Sequence, residues 1–171
     1  MTVEAVAALL PAWLPHQRWF GGKDQPIDGL TVVAATQLRE REPEFWHLLV
    51  EVTQGDKAIV YQVPVSLRDR AGDRLEHVLL GEVDGRFVYD ALHDKEATAE
   101  LLRRFEAQDH VEELTFHTEP DALLPLGEQS LVLTAEQSNT SLAYGDSVLI
   151  DVSPTLISAF DPDVDIHDAL T

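Results

Sequence analysis

The sequence predicts an α+β fold, a curved antiparallel β-sheet with packed helices followed by a small β-hairpin. Three observations carry that prediction. Between Gly29 and Val83, apolar and β-branched residues alternate with polar ones and are broken by turn pairs such as Gly55-Asp56, the pattern of strands with one buried face. Lys95–Gln108 is instead rich in good helix formers, with Ala97, Leu101, Leu102 and Phe105 on one side. The apolar run Leu142–Tyr144, the turn pair Gly145-Asp146 and the alternating run Val148–Val152 make a hairpin pattern.

Composition bounds the function classes. The chain has 171 residues, enough for a real core, and is 44% hydrophobic, which argues against disorder. It has no Cys, which excludes disulfides and thiolate metal sites. No basic segment precedes an apolar run at the N-terminus, and no apolar stretch approaches the roughly 20 residues of a spanning helix, so a soluble, cytoplasmic protein is expected. The net charge of −19 disfavours nucleic acid and anionic membranes, which are bound through cations. All 12 Lys and Arg lie at or before Arg104, whereas residues 105–171 carry 14 Asp and Glu. That half reads as a solubilising surface or as a docking surface for a basic protein partner.

Taken in order, Thr2 is placed to cap a first helix whose apolar face is Val3, Val6, Ala7 and Leu10, and Pro11 ends or kinks it. The stretch from Trp13 to Lys23 then gathers three aromatics with basic and imidazole side chains. Trp13, Arg18, Trp19 and Phe20 form either a sugar or partner surface or a lock holding the helix to the sheet; after a short helix, the lock is the commoner use. Gly29–Leu38, Phe45–Thr53, Ala58–Leu67 and His77–Val83 are read as strands, with Trp46, Leu48 and Val50 on one face of the second, and Phe45, Leu49 and Val52 suggesting a crossover or a bulge. Arg68–Arg74, where cations and anions alternate, is read as an exposed loop.

Asp90, His93 and Asp94 cluster in Val88-Tyr89-Asp90-Ala91-Leu92-His93-Asp94. Such a group can bind metal or move protons, but turn and helix-capping duties account for both aspartates, and no metal is assigned. Glu112–His117 looks like a strand, and Pro120–Gly127 like a connector. The expected division is therefore 1–127 and 128–171, with a strand at Gln129–Thr134, the hairpin, and a short C-terminal helix capped by Asp161. Asp161, Asp163 and Asp165 resemble the start of a calcium loop, but Ile166 stands where that loop needs Gly. Ahead of the hairpin, Gln137, Ser138, Asn139, Thr140 and Ser141 are small and polar, and are candidates to cradle a phosphate with backbone N–H groups and hydroxyls.

Several of these stretches resemble actinobacterial maltokinases and the related glucosamine kinases. Trp13–Lys23 is similar to the WLP-x-QRWF-x-GK opening of their N-terminal cap domain, Tyr89–Asp94 to its YDA-x-HD segment, Glu136–Ser141 to an EQSNTS loop that covers ATP, and Asp161–Thr171 to NPD-x-EIH-x-ALT. The resemblance implies a cap domain over 1–127 and, over 128–171, the start of a kinase N-lobe. It also implies a Lys at the end of the second hairpin strand, in a run like LLLKLFRR, to hold the nucleotide phosphates. Here that position is Asp151.

In the family a C-lobe follows, with the catalytic Asp, the metal residues and most of the sugar site. Phosphoryl transfer depends on those parts and on cations around the phosphates. The expectation is therefore a non-catalytic relative, a pseudoenzyme with a protein partner such as a full-length sugar kinase or trehalose synthase, and no cofactor. The alternatives are one part of an ATP-dependent maltose or glucosamine kinase completed by another chain, using ATP and Mg, or a small-sugar binding module.

Overall fold

The computed structural model describes residues 2–133 and 139–156. It is a mixed α+β fold with antiparallel sheets, as the sequence predicts. Helix α1 (Val3–Ala7) breaks and resumes as α2 (Leu10–Trp13), which runs into a 3-10 turn at Leu14–His16. Thr2 makes no side-chain cap; its carbonyl accepts from the amides of Ala5 and Val6 instead. Pro11 starts α2 rather than ending a helix, because the first turn has no use for the N–H that proline lacks.

The main sheet is built from β1 (Gly29–Arg39), β2 (Glu44–Gln54), β3 (Lys57–Arg68), β4 (Leu79–Val83) and β5 (Arg86–Asp90), in the order β1-β2-β3-β5-β4. One face presents Leu48, Val50, Val52, Tyr61, Val63, Val65 and Leu67, all buried beneath Val6, Leu10, Leu14 and Phe20. The other face carries Leu38 and Phe45, which pack with Ala91, Ala97 and Phe116. The irregularity lies not in β2, which pairs with β3 without a break, but in β1: Gln37 faces Trp46 and Arg39 faces Phe45, so Leu38 is the extra residue and turns to join Phe45. The fourth strand begins at Leu79 rather than His77, because Glu76–Val78 closes a 3-10 turn, with the Val78 amide donating to the Leu75 carbonyl.

Helix α3 (Lys95–Ala107) follows β5 and a 3-10 turn at Ala91–His93, and Gln108 ends it in the left-handed region at φ 48°. Glu112–His117 is not one strand. β6 (His110–Val111) and β7 (Leu114–Thr115) form a tiny hairpin that reverses at Glu112, φ 51°. A second sheet of β8 (Ser130–Leu133), β9 (Thr140–Tyr144) and β10 (Val148–Val152), in the order β10-β9-β8, lays Leu142 and Tyr144 against Leu92 and Leu102. Helix α3 thus lies between two sheets, with Ala97 toward the main one and Leu102 toward the small one.

The chain then returns. β11 (Thr155–Leu156) pairs with Tyr61 and Val60 on the stretch of the β3 edge that β5 leaves open. Gln62 fastens it: its amide donates to the Pro154 carbonyl (2.7 Å) and its side chain to the Ser153 carbonyl (2.7 Å). The Gln62 Oε1 atom also meets His47 Nε2 at 2.8 Å. The helix expected after Asp161 lies outside the described residues. Among the described residues no helix is long and apolar enough to cross a membrane.

Candidate functional site

The hairpin β9–β10 turns at Gly145, whose φ of 56° favours a residue without a side chain. Its register sets Ser141 directly opposite Asp151 and Ala143 opposite Leu149. β8 extends both rows, Leu133 beside Ser141 and Leu131 beside Ala143. The Ser141 hydroxyl donates a hydrogen bond to Asp151 Oδ1. Ser141 is buried and Asp151 exposed. Among the described residues, no Lys or Arg pairs with that carboxylate.

Of the five residues expected to cradle a phosphate, Gln137 and Ser138 lie outside the described residues. Asn139 is half-buried and precedes the strand; Thr140 and Ser141 are inside it and point to opposite faces, because strand side chains alternate. Those two hydroxyls therefore do not converge on one ligand. What the outer face offers instead is a carboxylate with lone pairs to spare, a group suited to an N–H donor or a cation.

The aromatic stretch packs inward. Trp13 and Trp19 meet edge to face at 5.9 Å between ring centroids, and Tyr61 lies 5.8 Å from Trp19 and 5.2 Å from Phe20. Phe20 is 2% exposed, and Trp13 and Trp19 are half-buried against the main core. Arg18 is exposed and its backbone carbonyl accepts from Lys23 Nζ at 3.3 Å. Burial, with the charges of His77 and Arg18, pushes the His93 imidazole below its ordinary pKa, and the rings of His77 and His93 meet edge to face.

The two aspartates flanking the 3-10 turn at Ala91–His93 do the capping that their positions predict. Asp90 Oδ1 accepts from the Leu92 amide (3.0 Å), and Asp94 Oδ1 from the Glu96 amide (3.2 Å). Asp94 does more. It binds Arg68 through both oxygens, from Nε at 2.9 Å and Nη2 at 2.8 Å, and accepts from Ser66 Oγ at 2.8 Å. The hydrogen bonds that Arg68 donates to Asp94 raise its pKa above the ordinary value. The alternating charges of Arg68–Arg74 predict an exposed loop, yet the Arg68 side chain is only 18% exposed. The one signal in the sequence was that Ser66 and Arg68, two apart on a strand, share a face.

Asp90 has no such partner, and burial pushes its carboxyl up to about 6. Beneath α3, the Tyr144 hydroxyl donates to the Thr98 carbonyl at 2.8 Å, and burial pushes its pKa up to about 12. Thr98 Oγ1 and Ser130 Oγ lie 2.6 Å apart, so α3 and the small sheet share a closed polar seam. Among the described residues, no group of three or more His, Cys, Asp or Glu side chains is placed to hold a metal ion.

The family model for the maltokinase N-terminal cap domain matches residues 13–94. The match begins at the first of the stacked aromatics, runs through the main sheet and stops at the aspartate that caps α3. Residues 13–94 of this chain are thus similar to the maltokinase N-terminal cap domain.

Proposed function

We propose that the protein is a non-catalytic cap-domain protein that works by binding another protein, in a regulatory role tied to maltokinase-related α-glucan metabolism, where trehalose and maltose 1-phosphate are handled. The observation that carries this reading is Asp151. The resemblance puts a phosphate-holding Lys at that point of the hairpin, and this chain puts a carboxylate there, steadied by Ser141. Two like unit charges about 5 Å apart at an effective dielectric near 20 repel by about 3 kcal/mol, so each phosphate charge brought close meets an opposing force. The inward packing of Trp13, Trp19 and Phe20 supports the same reading, since their faces are spent on the core rather than held out for a sugar. A full-length sugar kinase and trehalose synthase are the partners to try first.

The test is calorimetric titration with Mg-ATP, for the wild type and for Asp151→Lys, beside titration of the wild type with each candidate enzyme. The expected result is no nucleotide binding by the wild type and a salt-sensitive complex with a protein partner. Micromolar nucleotide binding by the wild type, or activity on adding a kinase C-lobe, would overturn the reading and favour one part of a divided kinase.

A further inference from the structure

Among the described residues, nothing covers the outer face of the small sheet. Leu131 is 63% exposed, Leu149 57% and Leu133 37%, with Ala143 half-buried between the first two. These residues are neighbours across three strands, unlike the isolated exposed Leu123 on its loop, and neighbouring exposed leucines mark a contact surface more strongly than scattered ones. Both ends of the apolar row are acidic. At the turn end, Glu128 lies over Gly145, where an added Cβ would meet its Cγ at 3.5 Å, with Asp146 beside it. At the other end stands Asp151, one oxygen held by Ser141. Lys95 reaches the foot of β8 but is engaged with Gln129 Oε1 at 3.3 Å.

Charge chooses among the occupants. The residues that follow β11 bring Asp161, Asp163, Asp165 and Asp168 and no Lys or Arg, so their sequence offers this rim no cation. A second copy brings the same rim and a net charge of −19. We infer that the outer face of β8–β10 docks a segment of a partner protein in which apolar residues alternate with Lys or Arg, the apolar side chains covering Leu131, Leu149 and Leu133 and one cation pairing with Asp151. This deepens the protein-binding reading and rests on it. An extended basic–apolar segment matches the spacing, since acid, apolar row and acid follow one another along β9 and β10.

The probe is a short synthetic peptide of alternating Leu and Lys, with alternating Ser and Lys, and alternating Leu and Glu, as controls. The wild type is expected to bind the first and neither control. Leu131→Ser with Leu149→Ser, and separately Asp151→Asn, should each weaken binding about tenfold or more, whereas Leu123→Ser should leave it unchanged. Equal binding of the Ser-Lys peptide, or equal binding by the Leu131→Ser and Leu149→Ser variant, overturns the surface. The same variants titrated against a partner enzyme separate the two readings. A partner that binds them all as well as the wild type leaves the protein-binding function standing and removes this face from it. Peptide binding at the face with no enzyme partner leaves the surface and removes the partners.

Discussion

The two sheets of this molecule are built from similar residues and treated in opposite ways. The main sheet is covered on one face by the N-terminal helices and stacked aromatics, and at the Leu38 and Phe45 end of the other by α3 with Phe116. Among the described residues the small sheet is covered on one face only, and its other face carries exposed leucines. A sheet buried on both sides has its outward residues chosen by packing, so its sequence is tied to the fold. A sheet buried on one side leaves its outward residues free of that constraint, and Leu131, Leu133, Leu149 and Asp151 stand on such a face.

The comparison can be broken most forcefully at the joint between the sheets. Asp94→Ala removes the cap of α3 and strands the half-buried Arg68 guanidinium, and is expected to destabilise by about 4 kcal/mol. Urea unfolding followed by circular dichroism reads it, and a loss under about 1 kcal/mol would mean that the pair is not what ties β3 to the helix. Within the small sheet, Leu142→Ala should cost about 3 kcal/mol, because that side chain is fully buried against α3. Hydrogen exchange should then show β8–β10 opening before the main sheet, and simultaneous loss of protection would show that the two sheets unfold as one unit.

A third prediction concerns pH. The Asp90 carboxyl holds its proton up to about pH 6 in the folded protein, against an ordinary value of 3.8. Its contribution to stability is therefore complete below about pH 4, falls as pH rises through 6, and is gone above that. Asp90→Asn keeps an acceptor for the Leu92 amide and should gain about 2 to 3 kcal/mol over the wild type at pH 8 and almost nothing at pH 4. A gain that is the same at both pH values would assign it to packing rather than to the proton. The smallest effect sharpens the comparison: Leu149→Ser on the bare face should change stability by no more than about 0.5 kcal/mol.

How much of this was readable beforehand depended on the range of the interaction. The strands of the main sheet announced themselves through alternation, but the irregularity expected in Phe45–Thr53 lies instead on its neighbour, at Leu38. The caps at Asp90 and Asp94 were legible because a cap bonds an amide two residues on. The Arg68 partner of Asp94 was not, because residues 26 apart meet only once the sheet has formed. The start of β4 was misplaced since a 3-10 turn at Glu76–Val78 has no period of its own to read. At the hairpin, polarity suggested a phosphate cradle, but the pleat decides which hydroxyls share a face, and it sends Thr140 and Ser141 apart. The two residues of β11 follow Pro154 and carry no pattern at all; only the open edge of β3 explains why they pair.

That short strand has a consequence for how the protein survives crowded, concentrated surroundings. The stretch of β3 beside Val60 and Tyr61 is apolar and extended, and without Thr155 and Leu156 its backbone N–H and C=O groups would stand in a row ready to template another chain. Two residues at the far end of the fold, anchored by Gln62, act as a selvedge that keeps the fabric from fraying into a neighbour's. Protection of this edge is thus a matter of connectivity and not only of charge.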